Sequence, residues 1–387
     1  MTHYFSSDFK LGILGGGQLG KMLLYETRKF DIQTYVMDPN PEAPSKIASN
    51  HFEVGNLMDY DRVMEFGKKV DLLTFEIESV NVKALEDLEK SGLKVYPSSA
   101  TLKKIQNKAV QKQFYKTHQI STAPFEVFSN LIKLKEALVK EKISYPFVWK
   151  SSMGGYDGKG VSIVKSDEQL GNLPDVECIV ENLIDFKTEI AVIVAQSVSG
   201  EIKTYPVVEM EFHPEANQVE YVLCPARIDE KISDKARKLA QLVSKKFEHV
   251  GLLAIEMFVT KSDEVLVNEV APRPHNSGHF SIEGSYTNQF EQHLRAILNL
   301  TLGSTDSKSS SVMVNLVGDE NYTGEVIYEG IEHIMALPGV TPHIYGKRET
   351  RPFRKMGHVN IINSDLSKAR ALAETVKSKI KVISKTS

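Results

Sequence analysis

The chain has few cysteines and no long apolar run. Only two of its 387 residues are cysteine, Cys178 and Cys224, and both lie in apolar stretches. This usage excludes a disulfide-rich scaffold and is typical of buried thiols in a reducing compartment. No apolar stretch approaches the roughly 18 residues that a membrane-spanning helix needs. The opening stretch MTHYFSSDFK has no pattern of a secretion signal, so we expect a soluble, cytoplasmic protein that does not bind membranes.

The chain also lacks an excess of charge of either sign. Its formal net charge of −3 provides no general attraction to nucleic acid or to an anionic surface. An anionic ligand must therefore be bound by a local cluster of basic groups. The chain is longer than the length at which one hydrophobic core usually stops growing, which predicts two or three domains.

The pattern of apolar residues predicts an α/β beginning and an α+β continuation. A strand from Leu11, a glycine-rich turn, a helix to about Lys29 and the strand QTYVMD form a βαβ unit. A third strand, DLLTFEIE (71–78), and helices near 59–69 and 81–91 extend it to a doubly wound sheet. A helix over 100–117 then leads to a strand-rich region with a long helix at 229–248. After the polar linker 302–311, short strands and a helix near 366–380 predict a small β-rich unit.

A glycine motif follows the first strand. Gly15, Gly17 and Gly20 match the dinucleotide-binding pattern G-x-G-x-x-G, and Asp38 closes the next strand at the distance of a ribose-binding acid. The start of a helix binds a phosphate through its free N–H groups, whatever ligand carries that phosphate. We interpret the motif as an anion site, with NAD and a purely structural turn as alternatives.

A second glycine cluster, GGYDGKG (154–160), lies between two predicted strands. It is not a P-loop, because no G-K-[ST] leads into a helix. A glycine-rich hairpin can fold over a triphosphate with its N–H groups facing the oxygens. Lys150, at the end of the preceding strand, would place its ammonium on a phosphate. The alternative is an ordinary hairpin turn.

Two acids lie within apolar strands, Glu256 in LAIEMF and Glu269 in VLVNEV. An unpaired charge there would be very unfavourable, so we expect a cation beside them. Magnesium fits, because it binds one or two carboxylates and completes its shell with phosphate oxygens and water. Buried salt bridges to Lys or Arg are the alternative.

Polar groups are dense in two further segments. APRPHNSGHF, which begins two residues after Glu269, carries Arg273, His275 and Asn276 and is stiffened by Pro272 and Pro274, which favours a rigid substrate-binding loop. A zinc site is disfavoured, since no third ligand accompanies the histidines. GKRETRPFRKMG carries Lys347 and Arg354 in a basic run. Such a run is most often a solvated face or a weak nucleic-acid patch, but the near-neutral total charge argues against nucleic acid.

Five motifs in this order, GGGQLGKM, FEIE, GGYDGKG, NEVAPRPHNSGH and RKMGHVN, make the chain similar to the ATP-grasp ligases. Within them it closely resembles the 5-(carboxyamino)imidazole ribonucleotide synthase family of purine biosynthesis, over Leu11 to about Asn363. The resemblance implies an ATP-grasp fold with an N-terminal doubly wound, Rossmann-like domain (1–100), an ATP-grasp domain (101–305) and a small C-terminal β-rich domain (306–387). It also implies a homodimer.

The resemblance assigns residues to each ligand. For ATP they are Lys108, Lys150, Gly155, Tyr156, Asp157, Gly158, Lys159, Gly160, Glu181, Asn182, Leu183, Ile184, Glu189, Asn268 and Glu269. For the ribonucleotide they are Gln18, Leu19, Glu76, Tyr156, Asp157, Arg273, His275, Asn276, Lys347 and Arg354, with Lys347 and Arg354 on its phosphate. Two Mg²⁺ ions, which Mn²⁺ can replace, fall on Glu256 and Glu269. The catalytic residues would be Asp157, Arg273 and His275.

The implied reaction uses ATP and bicarbonate to form carboxyphosphate, which carboxylates the amine of 5-aminoimidazole ribonucleotide. Arg273 would hold the acyl phosphate, and Asp157 or His275 would orient the amine. Another ATP-grasp ligase, such as formate-dependent glycinamide ribonucleotide transformylase, is the alternative; a non-catalytic nucleotide sensor and a dehydrogenase are more distant ones. The sequence departs from the family at Ser152 and Met153, where similar chains carry two arginines, and at Val161, where they carry Gln.

Overall fold

The computed structural model describes residues 3–154, 160–214, 216 and 218–385. The chain begins with a parallel sheet of strand order β3-β2-β1-β4-β5. Its strands are β1 (Lys10–Leu14), β2 (Gln33–Asp38), β3 (His51–Val54), β4 (Leu72–Phe75) and β5 (Lys94–Val95), and its helices are α1 (Gln18–Lys29), α2 (Tyr60–Gly67) and α3 (Val82–Lys90). Strand β3 was not predicted, and DLLTFEIE ends as a strand at Phe75, so that Glu76 follows the strand instead of lying in it.

The predicted helix over 100–117 is wrong as a single element. Helix α4 (Ser99–Gln106) ends at Asn107, whose backbone is extended (φ −108°, ψ 109°), and α5 (Lys108–Thr117) begins after it. The side chain of Asn107 accepts a hydrogen bond from the backbone N–H of Val110 at 3.0 Å. An asparagine in this conformation is a favourable N-cap. The break makes Lys108 the first residue of a new helix.

A small antiparallel sheet of order β6-β9-β7-β8 follows. It has its own apolar core, in which Trp149 is 2% exposed. Its elements are β6 (Phe125–Phe128), α6 (Leu131–Val139), β7 (Phe147–Ser151), β8 (Val161–Val164), α7 (Asp167–Gly171) and β9 (Cys178–Asn182).

A long sheet then runs in the order β15-β14-β10-β12-β13-β16-β20-β18, with β11 paired to β10. Its earlier elements are β10 (Phe186–Gln196), β11 (Ile202–Thr204), β12 (Val208–Phe212), β13 (Val219–Cys224), α8 (Glu230–Phe247), β14 (Gly251–Thr260), β15 (Val265–Ala271), α9 (Ser281–Gly284) and α10 (Gln289–Ile297). Helix α8 packs on the sheet through Ala236, Ala240 and Val243. The shared sheet brings the last third of the chain into direct contact with the middle.

The remaining elements complete this sheet and add a smaller one of order β19-β17-β21. They are β16 (Ser310–Val317), β17 (Gly324–Glu329), α11 (Ile331–Met335), β18 (Val340–Ile344), β19 (Glu349–Thr350), β20 (Lys355–Asn363), α12 (Leu366–Lys379) and β21 (Lys381–Ser384). The domain boundaries at 100 and 305 stay predictions. Cys178 and Cys224 are buried thiols, and among the described residues no helix is long and apolar enough to cross a bilayer.

The cap at Asn107 gives a test of the helix break. Asn107→Ala should lower the free energy of unfolding by about 1 kcal/mol, because it removes one capping hydrogen bond. The measurement is equilibrium unfolding in urea. Asn130→Ala is the matched comparison, since Asn130 caps α6 through the N–H of Lys133 at 2.9 Å, and it should cost a similar amount. Unchanged stability of Asn107→Ala would contradict the role of this cap.

Candidate functional site

Three carboxylates meet on one face of the long sheet. Glu256 on β14 lies directly opposite Glu269 on β15. Ala191 of β10 pairs with Glu256, and Glu189, two residues earlier on β10, therefore points to the same face. Glu269 keeps 46% of its side-chain surface exposed, so a ligand can reach this group of acids.

The proximity of these acids shifts their pKa values. Burial raises the pKa of Glu256, and the charges of Glu269 and Glu189 raise it further. Burial and the charge of Glu269 also raise the pKa of Glu189, to about 7. Burial acts in the same direction on Glu269, but Lys108 and Lys150 outweigh it, so its pKa is lowered. Within the described residues no group of three or more His, Cys, Asp or Glu side chains has the geometry of a metal site; an ion here would need oxygens from its ligand as well.

Lysines surround the acids. Lys108 Nζ lies 3.3 Å from Glu269 Oε2. Lys150 Nζ lies 2.9 Å from Glu181 Oε2 and donates to Asn268 Oδ1 at 3.0 Å. The structure therefore brings together five of the residues assigned to ATP: Lys108, Lys150, Glu181, Asn268 and Glu269.

Lys112 belongs to this group but was not among the residues predicted from the sequence. Its Nζ lies 2.7 Å from Glu181 Oε1, and both side chains are almost fully buried, at 2% and 3% exposure. Burial lowers the pKa of Lys112 to about 8, and the charge of Glu181 opposes that shift. Lys112 is four residues after Lys108 on α5, which places both on one face of the helix. That spacing was the available signal.

The second glycine cluster connects two neighbouring antiparallel strands, as predicted. Lys150 of β7 pairs with Val161 of β8, and the N–H of Ser151 donates to the carbonyl of Gly160 at 2.9 Å. Gly154 and Gly160 have φ values of 75° and 73°, a region that favours glycine. The assignments on Gly155, Tyr156, Asp157, Gly158 and Lys159 lie outside the described residues.

Three more residues assigned to ATP lie where β9 leads into β10. Asn182 is the last residue of β9, and its N–H donates to the carbonyl of Pro124 at 2.9 Å. Leu183, which is 42% exposed, and Ile184 lie in the short link that follows. This link starts two residues after Glu181, which contacts Lys112 and Lys150.

The first glycine motif holds carboxylates of its own chain. The N–H of Gly16 donates to Asp38 Oδ2 at 2.7 Å, and the N–H of Gly17 donates to Glu76 Oε1 at 2.9 Å. A Cβ at Gly15 would lie 2.7 Å from Glu76 Oε1, so the close approach of Glu76 requires glycine there. Gln18 starts α1 beside this turn. Leu19 is 7% exposed in the apolar core of the first sheet.

Glu76 connects this turn to the loop after β15. It is 8% exposed, and burial raises its pKa to about 7 against the opposing effects of the Gly17 N–H and the Arg273 charge. Arg273 Nε lies 2.9 Å from Glu78 Oε1. Glu78 was not among the assigned residues, although it lies in the FEIE motif.

His275 reaches the acids on the sheet. Its Nε2 lies 3.8 Å from Glu256 Oε1. Its Nδ1 accepts from the backbone N–H of Ser277 at 3.3 Å. A backbone N–H can only donate, so in the neutral ring the proton is on Nε2, the nitrogen that faces Glu256. Asn276 instead forms a reciprocal amide pair with Asn315 of β16, at 2.8 and 3.0 Å.

The basic run lines a cavity with the first glycine motif. This cavity of about 370 Å³ has Lys347 and Arg354 on one wall and Gly17 and Asp38 on the other. Lys347 Nζ donates to the carbonyl of Lys355 at 2.6 Å, and the Arg354 guanidinium donates to the carbonyl of Glu349 at 2.6 Å. The first and last parts of the chain thus share one pocket. Another cavity, of about 420 Å³ beside α12, contains none of the assigned residues.

The arrangement of sheets, glycine hairpin and paired acids defines an ATP-grasp protein. Residues 113–290 match the ATP-grasp domain, residues 9–106 the ribonucleotide synthetase preATP-grasp domain, and residues 311–372 the phosphoribosylaminoimidazole carboxylase C-terminal domain. The ATP-grasp fold predicted from the sequence is confirmed.

Proteins with similar sequences indicate which family of ATP-grasp proteins this is. The Bacillus subtilis protein named N5-carboxyaminoimidazole ribonucleotide synthase is 36% identical over 356 residues, 91% of this chain and 91% of that protein. The Candida glabrata phosphoribosylaminoimidazole carboxylase is 37% identical over 92% of this chain, but the chain spans only 64% of its length.

Solved structures agree. The N5-carboxyaminoimidazole ribonucleotide synthetase of Thermotoga maritima has a TM-score of 0.88 and 42% identity, over 97% of this chain and 100% of that one. The Aspergillus clavatus synthase, solved in complex with ADP and 5-aminoimidazole ribonucleotide, has a TM-score of 0.87 and 32% identity, over 96% and 98% of the two chains. The chain belongs to the N5-carboxyaminoimidazole ribonucleotide synthase family, which confirms the resemblance found in the sequence.

The raised pKa of Glu76 predicts that replacing this residue with glutamine stabilises the protein, by an amount that depends on pH. The folded-state pKa of about 7 exceeds that of an unfolded glutamate, so the wild type loses stability as the pH rises between the two values. Glu76→Gln has no such loss. Its free energy of unfolding, relative to that of the wild type, should therefore increase by at most about 3 kcal/mol between about pH 5 and about pH 8. Urea unfolding at several pH values measures it.

Glu53→Gln, on β3 and paired with Lys69 at 2.7 Å, is the control, and its free energy of unfolding should show no such increase over the wild type as the pH rises. A Glu76→Gln protein whose stability follows the wild type at every pH would contradict the assignment of a raised pKa.

Proposed function

We propose that this protein carboxylates 5-aminoimidazole ribonucleotide to 5-(carboxyamino)imidazole ribonucleotide with ATP and bicarbonate, and releases ADP and phosphate. The observation that carries the proposal is the 3.8 Å between His275 Nε2 and Glu256 Oε1. It joins the loop assigned to the ribonucleotide to the acids assigned to magnesium ATP. The names of the B. subtilis and T. maritima relatives and the ligands of the A. clavatus structure support it.

ATP would lie over the long sheet with its phosphates toward Lys108 and Lys150. Glu181 and Asn268 hold the ammonium of Lys150 in place, and Lys112 holds the other oxygen of Glu181. The two lysines on Glu181 leave a net positive charge, which suits the charge that develops on a transferring phosphoryl group. The segment from Asn182 to Ile184, Glu189 and the glycine hairpin would complete the nucleotide site.

Glu256 and Glu269 fit magnesium. They face each other across two strands, and burial and the charges of Glu269 and Glu189 raise the pKa of Glu256, an effect that a cation between the acids would oppose. Two such carboxylates together with phosphate oxygens form a donor set that Mg²⁺ prefers, and Mn²⁺ accepts similar ligands. When bound, two ions would supply electrostatic stabilisation of the phosphate oxygens.

The ribonucleotide would occupy the cavity between the first and last parts of the chain. Lys347 and Arg354 would bind its phosphate, and Gly17 and Asp38 line the opposite side. Gln18 and Leu19 follow Gly17 at the start of α1, and Glu76 accepts from the Gly17 N–H, so these three residues would bind the ribonucleotide from there, Leu19 through its backbone because its side chain is in the core. The aminoimidazole would then point toward the loop with Arg273, His275 and Asn276. This loop ends next to the acids.

The chemistry would proceed in two steps. An oxygen of bicarbonate attacks the γ-phosphorus and ADP leaves, which forms carboxyphosphate. The amine nitrogen then attacks the carbonyl carbon, the C–O bond to phosphate breaks, and the amine loses a proton. With its proton on Nε2, neutral His275 donates, so it orients an acceptor, whereas Asp157 would take the proton of the amine. Arg273 would hold the acyl phosphate.

The expected state of the protein is a cytoplasmic homodimer that binds small molecules and no nucleic acid. Membership of the family supports this proposal.

The substrates can be tested directly. Wild-type protein should release ADP when ATP, bicarbonate and 5-aminoimidazole ribonucleotide are all present, and not with formate and glycinamide ribonucleotide, the substrates of the alternative ligase. Glu269→Gln should abolish this release, because it removes one of the two acids opposed across the strands. Glu264→Gln, at the exposed turn of the same hairpin, should keep it. Bicarbonate-dependent ADP release by Glu269→Gln would contradict the metal assignment.

The phosphate site gives a second test. Lys347→Met should raise the KM for the ribonucleotide by about 10- to 100-fold, as expected for the loss of a charged hydrogen bond, and leave the KM for ATP unchanged. Steady-state kinetics with each substrate varied in turn measure both constants. Lys381→Met, at an exposed position of β21, is the control. An unchanged ribonucleotide KM in Lys347→Met would place the phosphate elsewhere.

A further inference from the structure

The side-chain amide of Gln289 binds the backbone of His275 at two points. Its Oε1 accepts from the His275 N–H at 2.9 Å, and its Nε2 donates to the His275 carbonyl at 2.8 Å. The same Nε2 lies 2.9 Å from Nδ1 of His279. Gln289 is fully buried. Its amide therefore pairs with both backbone groups of this residue, the N–H and the carbonyl, as a neighbouring strand does in a sheet.

This contact matters because His275 lies in a loop, directly after Pro274. Its backbone is extended (φ −133°, ψ 157°) and no named helix or strand contains it. Gln289 is the first residue of α10, and its own N–H donates to Ser281 Oγ at 3.0 Å. Helix α10 packs against both α1 and β14. A rigid element common to the first and second parts of the chain thus supports the loop.

The fit around the amide is tight. A Cβ at Gly278 would lie 2.3 Å from Gln289 Oε1. No side chain can be added there without displacing the amide, so Gly278 in HNSGH is explained by Gln289. The same loop supplies the Ser277 N–H that fixes the ring proton of His275 on Nε2. Backbone and ring of His275 are therefore both held.

We infer that Gln289 is a positioning residue that holds His275 beside Glu256 for the ribonucleotide step. The inference rests on the proposed function and deepens it. Gln289 touches no reacting group; it acts through the position of His275. Displacement of a positioned group by about 1 Å can lower the rate about 100-fold, and Gln289 sets the position of His275 through two hydrogen bonds.

The chain supplies a matched control in Gln292. It lies on the same helix, is also fully buried, and makes the same two-point contact with a different loop. Its Nε2 donates to the Gly303 carbonyl at 3.0 Å, and its Oε1 accepts from the Gly303 N–H at 2.8 Å. Loss of either amide removes two hydrogen bonds to a loop backbone, and Gln289 also loses its contact with His279 Nδ1, so the structural effects should be similar in kind.

The experiment compares Gln289→Leu, Gln292→Leu and Gln289→Glu in the ADP-release assay. Gln289→Leu should lower kcat/KM for the ribonucleotide by about 100-fold with the KM for ATP unchanged, whereas Gln292→Leu should stay close to the wild type. Gln289→Glu keeps an acceptor for the His275 N–H but donates to the carbonyl only when protonated. Relative to wild type, its activity should therefore recover as the pH falls.

The outcomes separate the two proposals. Wild-type protein without ribonucleotide-dependent ADP release would contradict the proposed function. With an active wild type, equal losses in Gln289→Leu and Gln292→Leu, or a Gln289→Glu profile parallel to that of the wild type, would overturn the positioning role alone. If Gln289→Leu does not fold, the pH profile of Gln289→Glu decides the question.

Discussion

The repulsion among Glu189, Glu256 and Glu269 on one face of the long sheet is the constraint on which the site depends. Like charges that are close together and partly removed from water raise each other's pKa. Lys108 and Lys150 outweigh burial at Glu269, whereas the lowering effects of Lys108 on the pKa of Glu256 and of Lys150 on that of Glu189 are smaller than the effects of burial and of the neighbouring acids. The other two acids therefore keep raised pKa values, which a bound cation would relieve. The sheet holds unfavourable charge where a magnesium nucleotide would supply the compensation.

Each of the three lysines near the acids forms an ion pair with a specific glutamate. Glu181 lies between Lys112 and Lys150, and all three are largely buried. Breaking a buried ion pair leaves an uncompensated charge, which is strongly destabilising. The ammonium of Lys150 is consequently fixed before any nucleotide arrives, and little reorganisation is needed when phosphate charge develops.

The sequence alone was enough to predict a candidate site residue where a polar residue interrupts an apolar pattern. Glu256 and Glu269 were found because carboxylates are unexpected in buried strands, and the glycine hairpin because glycines are costly inside elements. The sequence alone was not enough where the role of a residue depends on a tertiary contact. Lys112 is an ordinary helical lysine until Glu181 faces it, and Gln289 is an ordinary helical glutamine until His275 lies against it. The sequence of the turn at Gly16 and Gly17 predicted a bound anionic ligand. The structure instead places the Glu76 carboxylate on the Gly17 amide, a contact that depends on the pairing of β1 with β4.

The loop after β15 joins the two halves of the site. Its first residues continue the strand that carries Glu269, and Arg273 reaches Glu78 beside the first sheet. His275 faces Glu256, and Asn276 binds Asn315 of the last part of the chain. Successive residues of one short segment thus contact all three parts of the protein. A shift of any part relative to the others must strain this segment, so the loop helps to fix the distance between the acids and the cavity lined by Lys347 and Arg354.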